Sequence, residues 1–200
     1  MELYKFFPLT GLIVIITLLA GRIIYLKKKG VNVTSGKTDN SIITIFLYIL
    51  SVIVLLLWIS ELVILAFQLP VPLLPSRFTE KIVTMKFLII TGSLMIVTSI
   101  ILFMVTLSHF KESLRFGLNG NNQGQLITNG VFSLSRNPFF LSVDIYFTGL
   151  ALLHPSLFFI TMALLTLISI HLFILKEERF LQKYYGQKYS QYTSRVRRYL

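Results

Sequence analysis

The sequence predicts an all-α integral membrane protein with about five transmembrane helices. Hydrophobic residues make up 54% of the 200 residues, charged residues make up 14%, and the mean hydropathy is +0.76. Ordinary soluble domains contain roughly 25% charged residues, and a chain of this size cannot bury so much apolar surface in a soluble core. The apolar residues are also gathered into five runs. Together these observations exclude a soluble enzyme and a disordered chain.

The first three apolar runs are each long enough to cross a bilayer, which takes roughly 20 residues. They cover residues 3–26, 42–67 and 82–107. A polar stretch at 30–41 separates the first two, and three prolines within 68–76 end the second. The basic cluster at 27–29 follows the first run instead of preceding it, which predicts an uncleaved helix and not a signal peptide.

The last two runs cover residues 139–153 and 156–175, and they are separated only by His154-Pro155. This spacing predicts a tight helical hairpin. The tail at 176–200 holds five of the nine tyrosines, interspersed with Lys and Arg. We expect it to form an amphipathic helix at the cytoplasmic surface, with tyrosines at headgroup depth. Residues 1–110 would form three N-terminal transmembrane helices, and 111–200 a cofactor loop, the hairpin and the tail.

The net charge of +11 predicts the orientation of the chain. With five spans, fifteen of the nineteen Lys and Arg fall on one side of the membrane. The other four are Lys5, Arg77, Lys81 and Lys86. Basic residues accumulate in cytoplasmic loops. The sequence therefore predicts a multi-pass protein of the cell membrane with its N-terminus outside and its C-terminus in the cytoplasm.

Several other classes are excluded by the distribution of polar residues. The basic residues lie beside apolar spans, which argues against nucleic acid as a partner. The three histidines lie in different segments, so no metal site is expected. Cysteine is absent, which excludes a disulfide scaffold. The expected partners are the lipid bilayer and a lipophilic small molecule.

Four carboxylates in or beside the apolar runs require an explanation, because acids are costly within a membrane. Glu61, near the end of the second run, is expected to snorkel to the interface. Asp144 shares a helix face with Asn137 and Phe140, so it either makes a hydrogen bond between helices or lines a site. Glu177 and Glu178 follow the fifth run. The helix dipole disfavours such a pair at a helix C-terminus unless the helix continues or the pair has a cationic partner.

Two segments of the C-terminal region carry a family pattern. They are QLITNGVFSLSRNPFF at 125–140 and EERFLQKYYGQKYSQYTSRVRR at 177–198, separated by a segment that accommodates the hairpin. In this order they resemble the isoprenylcysteine carboxyl methyltransferase family of integral membrane enzymes and its prokaryotic branch. The resemblance covers about the last 80 residues. The first 110 residues match that family in hydropathy only.

The resemblance implies a membrane methyltransferase that uses S-adenosylmethionine, bound between the loop before the hairpin, the hairpin helices and the tail. Arg136, Asn137 and Glu177 would be the catalytic residues. Asp144 and Phe173 would line the substrate site. The cofactor-binding residues would be Gln125, Leu126, Ile127, Phe132, Arg136, Asn137, Phe140, Glu177 and Glu178.

The chain departs from the family pattern at four of these positions. Asn137 replaces a histidine, and Phe132 and Phe140 replace tyrosines. Phe173 stands where the eukaryotic enzymes carry an arginine that meets the substrate carboxylate. These departures argue against prenylcysteine as the substrate.

Two other functions remain open at this point. A reductase of the steroid 5-alpha-reductase type has a similar Arg-x-Pro and Glu-Glu arrangement but uses NADPH. A non-catalytic membrane scaffold or transporter would bind neither cofactor.

Overall fold

The computed structural model describes residues 3–31, 41–71, 73–110, 113–114 and 125–200. Most of the polar segments at 30–41 and 109–130, including the first part of the expected cofactor loop, lie outside these residues. The described part is built from helices. They are α1 (Phe7–Lys28), α2 (Ile42–Phe67), α3 (Ser76–Thr79), α4 (Lys86–His109), α5 (Pro138–Leu153), α6 (Leu157–Tyr185) and α7 (Gln187–Thr193), with 3₁₀ turns at Leu3–Phe6 and Gly130–Ser133.

Each of the five apolar runs forms a helix, which confirms the all-α membrane class. Four of them are long and apolar enough to cross a membrane: Leu3–Lys28, Ile42–Phe67, Lys86–His109 and Leu157–Tyr185. The fifth, α5, is apolar but has only 16 residues. At about 1.5 Å per residue it is roughly 24 Å long, shorter than the ~30 Å hydrocarbon core of a bilayer.

Local sequence explains where these helices begin and end. Ser41 caps α2 and Ser156 caps α6, each accepting a hydrogen bond from a backbone N–H three residues further on. A proline occupies the first turn of α5, where it removes no helical hydrogen bond. Gln68 ends α2 in the left-handed conformation (φ 52°). Because α5 ends at Leu153 and Ser156 caps α6, the hairpin turn lies between His154 and Ser156, as the sequence predicts.

The most extensive helix packing is between α4 and α5. Gly92 and Gly149 let the two backbones touch, since a Cβ at Gly92 would lie 2.5 Å from the Gly149 carbonyl oxygen. Close approach through small residues is a common way to associate helices in membranes. Ser99 on α4 also donates a hydrogen bond to the Ser142 carbonyl on α5, at 2.8 Å. The expected division at residue 110 stays a prediction, and its two parts are joined by this packing.

The two ends of the bundle differ. At the end that carries the α5–α6 turn, here called the hairpin end, His154 Nε2 lies 2.9 Å from the Thr79 carbonyl oxygen of α3. The Ile82 N–H donates to the Pro155 carbonyl at 2.8 Å. Glu61 on α2 is only 4% exposed, so its expected snorkelling to the interface is wrong. The opposite end, here called the tail end, carries the C-terminal residues.

At the tail end α6 continues without a break for ten residues beyond its apolar run, to Tyr185. Gly186 (φ 55°) then reverses the chain into α7. The tail helix is thus short, and it folds back onto the protein. Tyr189 and Tyr192 are buried there with Val196, against Leu126 and Leu181. The rings of these two tyrosines therefore pack in the protein interior, and the expected position of the tail at headgroup depth stays a prediction.

Candidate active site

A cavity of about 460 Å³ lies at the tail end, between the loop before α5, the two hairpin helices and the tail. Its wall includes nine of the eleven residues expected in a cofactor or substrate site. They are Gln125, Leu126, Ile127, Phe132, Arg136, Asn137, Phe140, Phe173 and Glu177. Glu178 and Asp144 do not line it. Residues up to 52 positions apart in the sequence therefore meet around one space.

The loop before α5 is shaped by a glycine. Gly130 has φ +62°, and a Cβ there would collide with the imidazole of His109 at the end of α4. This close approach seats the 3₁₀ turn Gly130–Ser133 on α4. Phe132 is thereby buried in an edge-to-face contact with Phe110, with ring centroids 5.0 Å apart.

Glu178 lies behind the cavity wall between two arginines. Arg136 donates from Nε (3.1 Å) and Nη2 (2.7 Å) to one carboxylate oxygen. Arg198 donates from Nε (3.1 Å) and Nη2 (2.7 Å) to the other. Such paired hydrogen bonds to an ionised group are stronger than neutral ones. The interaction with Glu178 also raises the pKa of Arg198 above its ordinary value. The Glu178 carboxylate is therefore fully engaged.

Glu177, the preceding residue, has different surroundings. It lines the cavity, and within the described part of the chain no hydrogen bond or ion pair to its carboxylate is found. The sequence predicts that such an acidic pair needs either a continuing helix or a cationic partner. Both are present, because α6 continues past the pair and Glu178 has two arginine partners. Glu177 is thus a carboxylate that a cationic ligand can reach.

The tail closes one side of the cavity. Tyr189 and Tyr192 line it, and Tyr192 donates a 2.6 Å hydrogen bond to the Phe132 carbonyl. Burial raises the pKa of Tyr192 to about 12, so its hydroxyl remains a donor at neutral pH. Neither tyrosine is among the residues that the sequence predicts for the site. Their spacing of three residues, typical of one helix face, was the available signal.

Asp144 does not line the cavity, and no hydrogen bond from its side chain to another helix is found among the described residues. Its side chain is buried, 7% exposed, and its Oδ1 has no hydrogen-bond partner in the described part of the chain. Nearby, Tyr199 Oη lies 2.7 Å from His171 Nδ1, and the two rings stack. Burial, and then the charge of Asp144, raise the pKa of Tyr199. Asp144 therefore belongs to a polar cluster between the hairpin helices and the chain end, outside the cavity wall.

No group of three or more His, Cys, Asp or Glu side chains that could hold a metal ion occurs among the described residues.

Comparison with known proteins identifies the family to which the chain belongs. A model of the phospholipid methyltransferase family matches residues 75–188, a segment that includes α4, α5, α6 and the loop that lines the cavity. The apolar helices and this match define the chain as a multi-pass, membrane-embedded methyltransferase. It belongs to the phospholipid methyltransferase family, integral membrane methyltransferases related to the isoprenylcysteine carboxyl methyltransferases. No curated protein and no solved structure matches the chain significantly.

Proposed function

We propose that the protein transfers a methyl group from S-adenosylmethionine to a lipophilic acceptor drawn from the bilayer. The observation that carries this proposal is the cavity at the tail end. It brings the motif residues of 125–140 together with Glu177, and Glu177 is not engaged by a described partner. Membership of a methyltransferase family supports the type of reaction.

The residues present fit S-adenosylmethionine. The volume of about 460 Å³ lies within the roughly 300–1,000 Å³ of small-molecule sites. The cofactor carries a sulfonium and an ammonium group, and a carboxylate is the natural partner for either. Phe132, Tyr189 and Tyr192 add aromatic faces, which attract cations. Gln125 and Asn137 supply amides for the polar remainder of the ligand.

When bound, the cofactor supplies a methyl group already activated on sulfur. The work of the protein is then to orient the two reactants and exclude water. Glu177 holds a cationic part of the ligand. Arg136 is fixed by Glu178 and, through Nη1, by the carbonyls of Thr193 and Val196 at 3.3 and 3.2 Å. It keeps the tail, and hence the buried Tyr189 and Tyr192, closed over the cavity.

An apolar acceptor suits the rest of the wall. Phe139, Phe140 and Phe173 form part of it, and Ile170 and Phe173 come from the apolar part of α6. An acceptor of the lipid or isoprenoid kind dissolves in the bilayer and reaches these helices laterally. Its reactive group then meets the polar part of the cavity. We infer that the tail end faces the cytoplasm. The distribution of basic residues predicts this orientation, and S-adenosylmethionine is found in that compartment.

Calorimetry of the detergent-purified protein tests the cofactor. We expect S-adenosylmethionine to bind the wild type, and Glu177→Gln to weaken the affinity at least tenfold, because it removes the charge and keeps the shape. Glu80→Gln is the matched control, since Glu80 is exposed and lies at the hairpin end. It should leave the affinity unchanged.

Either of two results would contradict the proposal. One is no binding of S-adenosylmethionine by folded wild-type protein. The other is equal affinity in wild type and Glu177→Gln. NADPH is titrated in parallel, and binding of NADPH without S-adenosylmethionine would select the reductase.

A further inference from the structure

The last residues of the chain are attached to the segment that opens α5. The Arg136 N–H donates to the Arg197 carbonyl at 3.0 Å. The Ser135 hydroxyl and the Asn137 side-chain amide both donate to the Arg198 carbonyl, at 3.3 and 3.2 Å. The backbone around Arg198 thus holds a residue of the cavity wall, Asn137, in place.

The side chain of Arg198 also binds α6, through Glu178. It occupies one oxygen of Glu178 with two hydrogen bonds, while Arg136 occupies the other. The side chains of Arg136 and Glu178 are only 12% and 13% exposed, and that of Arg198 is 34% exposed. Two charge-assisted hydrogen bonds from Arg198 to a largely buried carboxylate are stronger than an ordinary surface ion pair. Arg198 therefore connects three parts of the site: α6, the start of α5 and the tail.

The direction of Glu178 bears directly on Glu177. Consecutive residues of a helix point about 100° apart. With Glu178 held behind the wall by two arginines, Glu177 faces the cavity. Without Arg198, Glu178 loses one of its two arginine partners. The tail also loses one of its side-chain attachments to α6, while those of Ser190 and Tyr199 remain.

We propose that Arg198 is a positioning residue of the cofactor site: by clamping Glu178 and the tail, it presents Glu177 and Asn137 to the ligand. This rests on the proposed function. Arg198 lies outside the segment matched by the family model, which ends at residue 188. Its role follows from the contacts of this chain.

Binding of S-adenosylmethionine to four purified proteins tests the role of Arg198. Arg198→Ala should weaken the affinity about tenfold relative to wild type. Arg198→Lys, which keeps the charge but not the paired hydrogen bonds, should lie between them. Arg195→Ala is the matched control, because Arg195 is an exposed arginine of the same tail with no side-chain hydrogen bond or ion pair among the described residues. It should bind like wild type.

A double-mutant cycle separates positioning from a general loss of structure. If Arg198 acts through Glu178, the variant Glu178→Gln/Arg198→Ala should bind the cofactor no more weakly than Glu178→Gln alone. Additive losses of affinity in the double variant would overturn the inference, and so would equal affinities of Arg198→Ala and Arg195→Ala. In either case, binding of S-adenosylmethionine by the wild type would still support the proposed function. If Arg198→Ala does not fold, wild-type affinity in Arg198→Lys overturns the inference. Absence of binding by folded wild type would overturn both.

Discussion

Two adjacent glutamates acquire opposite roles from their direction alone. Glu178 points at Arg136 and Arg198, which together satisfy both of its oxygens. Glu177, one residue earlier, lines the cavity, and its carboxylate has no hydrogen-bond or ion-pair partner among the described residues. The order of the pair in the sequence does not reveal this division, because it depends on arginines 41 residues before and 21 residues after Glu177.

Asp144 presents the opposite case, a buried acid whose Oδ1 has no hydrogen-bond partner among the described residues. Burying an ionised carboxylate without a partner costs several kcal/mol of free energy, more than burying a neutral amide. We expect Asp144→Asn to raise the thermal unfolding midpoint of the detergent-purified protein, since the amide has the same shape and no charge to desolvate. Residues kept at a cost in stability are often functional.

Circular dichroism on heating measures this effect. The control is again Glu80→Gln, in which an exposed acid is changed and the midpoint should stay constant. A lower midpoint in Asp144→Asn would show that the carboxylate stabilises the fold, as a hydrogen bond between helices would.

At the scale of the helices, length and approach distance shape the site. Helix α6 extends ten residues beyond its apolar run and carries both glutamates into the site. Helix α5 begins at the tail end, and its first residues, Pro138 to Phe140, form part of the cavity wall. The contact of α5 with α4 fixes its position, because Gly92 and Gly149 leave no space between the backbones.

We expect Gly92→Ala to destabilise the protein by ~1–3 kcal/mol, because the new methyl group would force the α4 and α5 backbones apart. Its Cβ would lie 2.6 Å from the Leu153 nitrogen. Thermal unfolding measures the change. Gly21→Ala is the matched control, since a Cβ at Gly21 in α1 meets nothing within 4 Å. Alanine there should be neutral or slightly stabilising. Equal midpoints for the two variants would refute the close contact.

For the molecule as a whole, the charge distribution predicts that the tail end lies in the cytoplasm. The absence of cysteine makes this testable without removing native thiols. Gln191 at the tail end and Ser76 at the hairpin end are both exposed. In intact cells, we expect a membrane-impermeant maleimide to label Ser76→Cys and to spare Gln191→Cys.

Permeabilised cells provide the control, because there both single-cysteine variants should react. The reverse labelling pattern in intact cells would contradict the orientation. It would also place the cavity on the side of the membrane away from cytoplasmic S-adenosylmethionine.

The sequence by itself determined the membrane class, the five helices and the motif residues that meet in the cavity. These features depend on local hydropathy, on capping and proline residues, and on short motifs, all of which can be read along the chain. The C-terminal end of α6 and the burial of Tyr189 and Tyr192 could not be read in this way. An amphipathic tail has similar residues whether its apolar face meets lipid or protein.

Only the tertiary structure decided which face the tail presents to which partner. It placed Arg198 against Glu178, left Glu177 facing the cavity, and put Asp144 beside Tyr199 and outside the wall. The physical reason is that hydrogen bonds and ion pairs depend on distances between residues far apart in sequence. Packing sets those distances, here the contact of α4 with α5 and the return of the tail onto the start of α5.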